Sequence, residues 1–283
     1  MGIIMEGKTV SSALKEKVKK EVEEIKIKYG KTPKLTVILC GDDPASIIYV
    51  KNKEKACAAL KIDSEVIRFD SNASEEEIKK TINVLAKDEK VNGILVQLPL
   101  PKGINERNII ELIPLEKDVD GLTSLNVSKL VRGEEGIVPC TPLGIIDMLD
   151  YYAIPLEGKR VSVVGRSMLV GKPLFNLLTN RNATVTLCHS KTKDLKEETR
   201  LSDIVIMAIG KPLFLKEDMI KDGAIVIDVG INRIDGQIYG DADFENLKNK
   251  ASYITPVPGG CGLMTVAELL NNTIKCFYLQ NRK

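Results

Sequence analysis

Short apolar segments that alternate with helical or loop segments constrain the fold of this chain more than any other feature of its sequence. Four such segments lie in its second half: RVSVVG, TVTLC, DIVIMAIG and AIVIDVG. Continuous apolar runs of this length are typical of parallel strands that helices cover on both faces. The alternation therefore predicts an α/β fold with parallel sheets.

The first half of the chain shows the same alternation. LTVILC (35–40) and GILVQ (93–97) have the composition of buried strands, and Ser74 and Glu77 have the spacing of a capping box that opens a helix. Functional residues of parallel α/β folds lie at the carboxyl ends of strands. Gln97, which ends a predicted strand, is therefore a candidate site residue.

The length of 283 residues favours two domains over one. The segment PCTPLG (139–144) starts a second unit of the Rossmann type, and we expect a helix over Gly144–Tyr152 to follow it. The last predicted helix, over 265–280, can pack back on the first unit. The predicted domains are therefore residues 1–138 together with 265–283, and residues 139–264.

Composition and charge argue against several classes of protein. With 43% hydrophobic and 28% charged residues, the chain has no apolar run near the roughly 18 residues that span a bilayer, so no membrane role is expected. A net charge of +2 without a basic cluster argues against nucleic-acid binding. A single histidine, His189, and six cysteines without a C-x-x-C pair predict no metal site. The scattered cysteines and an N-terminus unlike a secretory signal predict a cytoplasmic location.

A glycine turn in RVSVVGRSMLVGKPLFNLL (160–178) indicates a dinucleotide site. Gly165 directly follows an apolar strand, and Gly171 begins a helix whose first N–H groups can bind a pyrophosphate. The spacing is G-x-S-x-x-x-G rather than G-x-G-x-x-G. Glycines also connect strands to helices without binding a ligand, so the turn alone is a weak signal.

The end of the next strand favours NADP over NAD. NAD-binding units usually carry an acidic residue there for the ribose 2′-hydroxyl. LCHSKT (187–192) has Ser190 and Lys191 instead, and Arg166 in the glycine turn can pair with a 2′-phosphate. The alternatives are that Arg166 is an exposed turn charge and that His189 ends a strand without a chemical role.

Tyr49 and Lys53 stand four residues apart in a predicted helix near 46–60, so their side chains reach the same side of it. Lys51 and Lys55 alternate with Lys53, and by position alone Lys53 is an ordinary solvated charge. A lysine is protonated near neutral pH, so a role as a base needs desolvation or a nearby cation. The residues alone leave both interpretations open.

Two further polar positions have comparable alternatives. The Gln97 amide can hydrogen-bond a substrate, tune a lysine or cap local backbone. In KDVDGL (117–122), Asp118 and Asp120 precede a glycine, and an Asx-type turn explains them as well as a binding role does.

An ordered set of motifs resembles the bifunctional methylenetetrahydrofolate dehydrogenase/methenyltetrahydrofolate cyclohydrolase (FolD) family. The resemblance covers nearly the whole chain, and the ordered set is far more specific than any single motif. In chain order the motifs are YVKNKEKAC, VQLPLP, KDVDGL, PCTPLG, VGRSMLVGKP, TVTLCHSKT, GAIVIDVGIN and ITPVPGG.

The resemblance implies an N-terminal α/β domain with the folate site and a Rossmann-like NADP domain, with the C-terminal helix packed on the first domain. It implies that NADP oxidises 5,10-methylenetetrahydrofolate to 5,10-methenyltetrahydrofolate, which is then hydrolysed to 10-formyltetrahydrofolate in a cleft between the domains. It also implies a homodimer formed through the NADP domain, with tetrahydrofolate derivatives as the partners of the site.

Individual residues acquire roles through the same resemblance. It implies that Lys53 is the essential lysine of hydrolysis, as a base or as a polarising cation. It further implies that Tyr49 positions the folate, Gln97 tunes the lysine and Asp120 holds the pterin ring. The other implied contacts are Gly165, Arg166, Ser167, Ser190 and Ile231 for the cofactor, and Pro258 and Gly259 for the substrate.

The chain departs from the family pattern near its last helix. PVPGGCGLMT stands where relatives commonly read PVPGGVGPMT, so Cys261 replaces a valine and Leu263 a proline. We expect Leu263 in the loop between the last strand and the last helix, where the loss of a proline frees one φ angle. The expected consequence is a change in cleft rigidity and folate affinity.

Three other functions compete with the bifunctional enzyme. The first is a dehydrogenase without cyclohydrolase activity. The second is a catalytically silent NADP- or folate-binding protein, which the presence of Tyr49, Lys53, Gln97 and Asp120 disfavours. The third is an amino-acid or hydroxy-acid dehydrogenase, whose usual histidine or lysine–aspartate pair has no obvious counterpart in this sequence.

Overall fold

The computed structural model describes residues 2–281, which form two compact units. The six-stranded unit contains the residues up to Ser12 together with Pro139–Thr265. The three-stranded unit contains Ala13–Val138 together with the chain from Val266 onward. Each unit has its own core of buried apolar side chains, as expected for a domain.

Strands occur wherever the sequence has a short apolar run of the kind described above, so that part of the prediction is confirmed. The strands within residues 2–281 are β1 (Ile3–Ile4), β2 (Lys34–Cys40), β3 (Asp63–Phe69), β4 (Gly93–Val96), β5 (Arg160–Val164), β6 (Thr184–Cys188), β7 (Ile204–Met207), β8 (Ile225–Asp228), β9 (Asn232–Ile234), β10 (Gln237–Tyr239) and β11 (Tyr253–Ile254).

Helices fill most of the segments between these strands. Over the same described range they are α1 (Gly7–Tyr29), α2 (Pro44–Ala59), α3 (Glu75–Lys87), α4 (Glu106–Ile110), α5 (Ser124–Arg132), α6 (Cys140–Tyr151), α7 (Gly171–Asn180), α8 (Leu195–Arg200), α9 (Phe244–Leu247) and α10 (Cys261–Asn281). None of these helices combines the length and the apolar character needed to cross a bilayer.

The six-stranded unit is built on one parallel sheet with the strand order β1-β11-β8-β7-β5-β6. Its central strands are buried on both faces, which explains their continuous apolar sequences. The register pairs Val164 with Cys188 and with Met207, and Met207 with Asp228. The loops that follow β5, β6, β7 and β8 therefore leave the sheet at the same edge.

The three-stranded unit has the parallel order β3-β2-β4. Ser74 caps α3, and its hydroxyl and the Glu77 carboxylate form the reciprocal capping box that the spacing predicts. An isolated parallel bridge between Ile94 and Asp118 extends the sheet beyond β4. The part of α10 from Val266 onward belongs to this unit, and the ring of Phe277 lies edge-on to the ring of Tyr29 in α1. The predicted return of the last helix to the first domain is confirmed.

Two helices begin four residues earlier than the sequence patterns predict. The helix expected from Gly144 begins at Cys140, and the helix expected from 265 begins at Cys261. The N–H groups in the first turn of a helix have no intrahelical acceptor. Pro142 in α6 and Gly262 in α10 therefore fit there without the loss of a hydrogen bond. Leu263 consequently lies in the first turn of α10, and its predicted place in a loop is wrong.

The first residues also differ from the predicted boundary. The prediction places them in the first domain, but the structure places residues up to Ser12 in the six-stranded unit. The reason is that β1 pairs with β11, and the Met5 N–H donates to the Ile254 carbonyl at 2.8 Å. A two-residue edge strand carries too little periodicity to be recognised from sequence.

Candidate active site

Lys53 and Gln97 are in direct contact in the three-stranded unit. The Lys53 Nζ donates a hydrogen bond to the Gln97 Oε1 at 2.9 Å. The Gln97 Nε2 donates to the Leu98 carbonyl at 2.8 Å, which fixes the amide with its oxygen toward the lysine. Gln97 directly follows β4, and its backbone N–H donates to the Ile38 carbonyl of β2 at 2.9 Å. The carboxyl end of the sheet thus holds the acceptor, and α2 supplies the donor.

Burial separates Lys53 from its neighbouring lysines. Lys51 and Lys55 are exposed on α2, whereas Lys53 is half-buried. Tyr49 lies one turn before Lys53 on the same side of the helix, with 44% of its surface exposed. The structure therefore brings Lys53 and Gln97 together, with an accessible tyrosine beside the lysine.

Asp120 lies in a loop at the same edge of this sheet. The bridge between Ile94 and Asp118 is parallel to β4, and Asp120 lies in the turn that directly follows this bridge. Of the two acids in KDVDGL, Asp118 is the buried one and Asp120 is half-buried. The backbone-capping interpretation applies to Asp118, which accepts the N–H groups of Leu122 at 3.2 Å and of Thr123 at 2.9 Å.

Two asparagines outside the predicted site hold this loop. The Asn126 Nδ2 donates to the Asp118 Oδ2 at 2.9 Å. In α10, the Asn272 Nδ2 donates to the carbonyls of Val119 and Val138, each at 2.9 Å. Sequence reasoning missed both residues because no motif marks an asparagine that binds another segment, which in the case of Asn272 lies more than a hundred residues away.

The glycine turn after β5 has the close contacts that only glycine permits. Gly165 has φ +126°, and a Cβ on it would lie 2.2 Å from the Ala208 carbonyl oxygen. A Cβ on Gly171 would lie 1.9 Å from the Gly165 carbonyl oxygen. Within the described residues, no side chain caps the first turn of α7, and the Lys172 N–H donates to the Ser167 carbonyl of the turn at 3.0 Å.

The side chains predicted to contact a cofactor lie in the loops at this edge. Arg166 and Ser167 are exposed in the glycine turn, and the Ser167 Oγ accepts the Val170 N–H at 3.1 Å. Ser190 is exposed after β6, and Ile231 after β8 is 48% exposed. His189 organises the turn around Ser190, because its Nδ1 accepts the Lys191 N–H at 3.1 Å.

Pro258 and Gly259 lie in the six-stranded unit, between β11 and α10. The Val257–Pro258 peptide bond is cis, and Gly259 has φ +111°. The Gly259 carbonyl accepts the Gly7 N–H at 2.9 Å, which ties this turn to the start of α1. Cys261 follows in a fully buried position, where desolvation raises the pKa of its thiol to about 12. Such a thiol is an inert packing group.

Asp228, within GAIVIDVGIN, is a buried carboxylate at the end of β8. Its Oδ1 accepts the N–H groups of Gly230 and Asp241, each at 2.9 Å, and its Oδ2 accepts the Ala242 N–H at 2.7 Å. Burial raises the pKa of Asp228 from 3.8 to about 6, against the opposing effect of these hydrogen bonds. The neighbouring Asp241 carboxylate adds to the rise.

A glycine turn closed by an uncapped helix, at the carboxyl edge of a parallel sheet, is characteristic of dinucleotide-binding proteins. Together with the half-buried lysine of the other unit, it places the chain among two-unit α/β enzymes that depend on a dinucleotide. The sequence profiles agree with this class. Residues 5–120 match the tetrahydrofolate dehydrogenase/cyclohydrolase catalytic domain, and residues 139–281 match the NAD(P)-binding domain of the same family. The chain belongs to the tetrahydrofolate dehydrogenase/cyclohydrolase family.

Individual relatives are similar to this chain over nearly their full lengths. The bifunctional protein FolD of Campylobacter concisus is 53% identical over 272 residues, which cover 96% of each chain. The FolD structure from Campylobacter jejuni is 48% identical, with a TM-score of 0.97 and 100% coverage of both chains. FolD of Trypanosoma brucei, solved with NADP and an inhibitor, is 36% identical, with a TM-score of 0.95 over 100% of this chain and 99% of that one.

The raised pKa of Asp228 gives a stability prediction with a definite sign. Between pH 4 and pH 6 the folded chain binds a proton that the unfolded chain has released, so the contribution of Asp228 to stability falls as pH rises to about 6. The fall amounts to about 3 kcal/mol at most. The free energy of unfolding of wild type minus that of Asp228→Asn, measured in urea from pH 4 to pH 8, should decrease and then level off.

Asp203 provides a control, because its pKa is shifted in the direction opposite to that of Asp228. The Lys221 ammonium holds the pKa of Asp203 below its ordinary value, so its contribution is present above that value and is lost as pH falls. The corresponding difference for Asp203→Asn should therefore grow as the pH rises toward about 4 and should show no decrease between pH 4 and pH 8. A difference for Asp228→Asn that also grows with pH would contradict the assignment.

Proposed function

We propose that this chain oxidises 5,10-methylenetetrahydrofolate to 5,10-methenyltetrahydrofolate with NADP and hydrolyses the product to 10-formyltetrahydrofolate. The observation that carries the hydrolytic half is the hydrogen bond from the Lys53 Nζ to the Gln97 Oε1. A lysine that serves only as a solvated helix charge is exposed, whereas Lys53 is half-buried against an amide whose orientation is fixed. The membership of the chain in the dehydrogenase/cyclohydrolase family supports both halves.

The residues of the glycine turn fit NADP. Gly165 and Gly171 permit the close backbone contacts that form this turn, and the first turn of a helix after such a turn is where a pyrophosphate binds. The exposed Arg166 guanidinium and Ser190 hydroxyl suit a 2′-phosphate, and the Ile231 backbone provides a contact near the nicotinamide. NADP, when bound, accepts the hydride that leaves the methylene carbon. The chain itself contributes the relative orientation of its ligands, which requires no acid or base.

Hydrolysis of the methenyl cation requires a water molecule that loses a proton. The water oxygen forms a bond to the methenyl carbon and one water proton departs. The bond from that carbon to N5 then breaks as the remaining hydroxyl proton passes to N5, so the formyl group stays on N10. Lys53 lies in a site where it can take that proton or stabilise the developing charge. Gln97 holds its Nζ through Oε1, so the nitrogen has one orientation toward the substrate.

Tyr49, Asp120, Pro258 and Gly259 complete the proposed substrate contacts. The accessible ring of Tyr49 gives the flat pterin a surface to stack on, next to Lys53. Asp120 accepts hydrogen bonds from the pterin ring. Asp118 supports this role because it fixes the loop through the N–H groups of Leu122 and Thr123.

The Lys53→Met variant tests the hydrolytic role. The substitution keeps the length of the side chain and removes the amine, so cyclohydrolase turnover should fall by about 100-fold or more. NADP binding should persist, because Lys53 lies outside the six-stranded unit. The decay of methenyltetrahydrofolate absorbance measures the first quantity and calorimetry the second.

Lys55→Met is the matched control, since Lys55 is on the same helix but exposed. It should leave cyclohydrolase turnover unchanged. Lys53→Arg separates the two chemical roles, because arginine retains the charge but does not act as a base near neutral pH. Cyclohydrolase turnover that survives in Lys53→Met would refute the assignment.

Cofactor choice gives a second test. Wild type should prefer NADP to NAD in kcat/KM. Arg166→Ala should lower kcat/KM for NADP by about tenfold or more, because a charge-assisted contact to phosphate is lost, and should change the value for NAD little. Arg200→Ala, on the exposed face of α8, should change neither value. Equal kcat/KM for NADP and NAD in wild type would contradict the proposal.

We further propose a cytoplasmic homodimer formed through the NADP-binding unit. The family resemblance supports the dimer, and six buried free cysteines are typical of a reducing compartment. The mass should be twice the 31.2 kDa of one chain when measured by light scattering at micromolar concentration. A single species of one chain under these conditions would contradict the dimer.

A further inference from the structure

We propose that the buried carboxylate of Asp241 is a positioning residue for the dehydrogenase half of the reaction, because it holds the turn 209–211 beside the glycine turn that follows β5. This inference rests on the proposed use of NADP. Asp241 belongs to none of the motifs that carry the family resemblance, and its side chain is 0% exposed. It therefore acts through the backbone that it binds.

Four N–H groups surround the Asp241 carboxylate. The Oδ2 accepts the backbone N–H groups of Ile209 at 2.7 Å and Gly210 at 3.0 Å. The Oδ1 accepts the Lys211 N–H at 2.7 Å and the Asn232 Nδ2 at 3.0 Å. An ionised carboxylate has about four acceptor positions, and here four donors use them. The three consecutive backbone donors form a concave turn that favours an anion.

An asparagine cannot replace this carboxylate. Each oxygen of Asp241 faces two donors, so an amide nitrogen at either place would point its own N–H groups at two N–H groups. Both N–H groups would then lack an acceptor in a buried site. The Asp241→Asn substitution keeps the shape of the side chain and specifically releases the turn.

The turn held by Asp241 begins next to the glycine turn that follows β5. It directly follows Ala208, whose carbonyl oxygen would be 2.2 Å from a Cβ on Gly165. The Ala208 N–H also donates to the Val164 carbonyl, at the end of β5, at 2.8 Å. A displacement of residues 209–211 therefore changes the surface against which the Gly165 turn packs.

The same carboxylate reaches the loop that carries Ile231. The Asn232 Nδ2, which donates to Asp241, belongs to the residue after Ile231. The Asp241 N–H donates to the Asp228 Oδ1, which also accepts the Gly230 N–H. A Cβ on Gly230 would lie 2.2 Å from the Asp241 Oδ1, so this packing requires glycine. Asp241 thus links the turn after β7, which begins beside Gly165, with the loop after β8 that carries Ile231.

The experiment compares wild type with Asp241→Asn in three measurements. The first is the Kd of NADP by calorimetry, the second is dehydrogenase KM and kcat, and the third is hydrolysis of methenyltetrahydrofolate without NADP. The Kd and KM for NADP should rise by about tenfold, the effect of losing one charge-assisted contact. Hydrolysis should stay near the wild-type rate, because Lys53 and Gln97 lie in the other unit.

Asp203→Asn is the matched control. Asp203 also accepts a backbone N–H, from Arg160 at 2.8 Å, but it lies at the amino ends of β5 and β7. A general loss of stability in the six-stranded unit would follow from either substitution. A rise in the Kd for NADP should follow from Asp241→Asn alone.

If Asp241→Asn does not fold, Asn232→Ala takes its place, since it removes one donor to Asp241 from a half-buried position and should weaken NADP binding less strongly. An unchanged Kd for NADP in the folded variant, or an equal fall in both activities, would overturn the inference. The proposed function fails separately. Wild type that binds NADP without oxidising methylenetetrahydrofolate contradicts the function, while the Kd comparison still decides the role of Asp241.

Discussion

This structure depends on one constraint: each buried backbone N–H in the loops that follow its parallel strands needs an acceptor. Carboxylates from the chain itself supply those acceptors. Asp118 does so after β4 in the three-stranded unit. In the six-stranded unit, Asp241 does so for the turn after β7 and Asp228 for the loop after β8. The loops that carry Asp120 and Ile231 are fixed for this reason, although neither of these two residues belongs to a helix or a strand.

The need of polar side chains for hydrogen-bond partners explains why Lys53 differs in its contacts from the other lysines of α2. Gln97 ends β4 with its amide oriented by the Leu98 carbonyl, and this orientation leaves Oε1 as an acceptor for an ammonium or amine group. The register of α2 brings Lys53 to that oxygen, while Lys51 and Lys55 face solvent. The proposed site for hydrolysis therefore depends on one turn of helix and one strand end.

Much of the fold could be predicted because its signals are local. Apolar runs marked the strands, Ser74 and Glu77 marked the start of α3, and Gly165 and Gly171 marked the turn at which α7 begins. The early starts of α6 and α10 were missed because first-turn residues tolerate proline and glycine. Leu263 is the clearest consequence, since its backbone is helical and the supposed release of a loop φ angle does not apply.

The sequence by itself determined the parallel α/β class, the glycine turn and the identity of the candidate side chains, because periodicity and motifs act over a few residues. Only the tertiary structure decided which lysine is half-buried, which acid of KDVDGL caps backbone, and that Asn272 and Asp241 hold loops far from them in sequence. Those outcomes depend on the desolvation and hydrogen bonding of groups that the fold brings together, and such contacts leave no pattern in the order of residues.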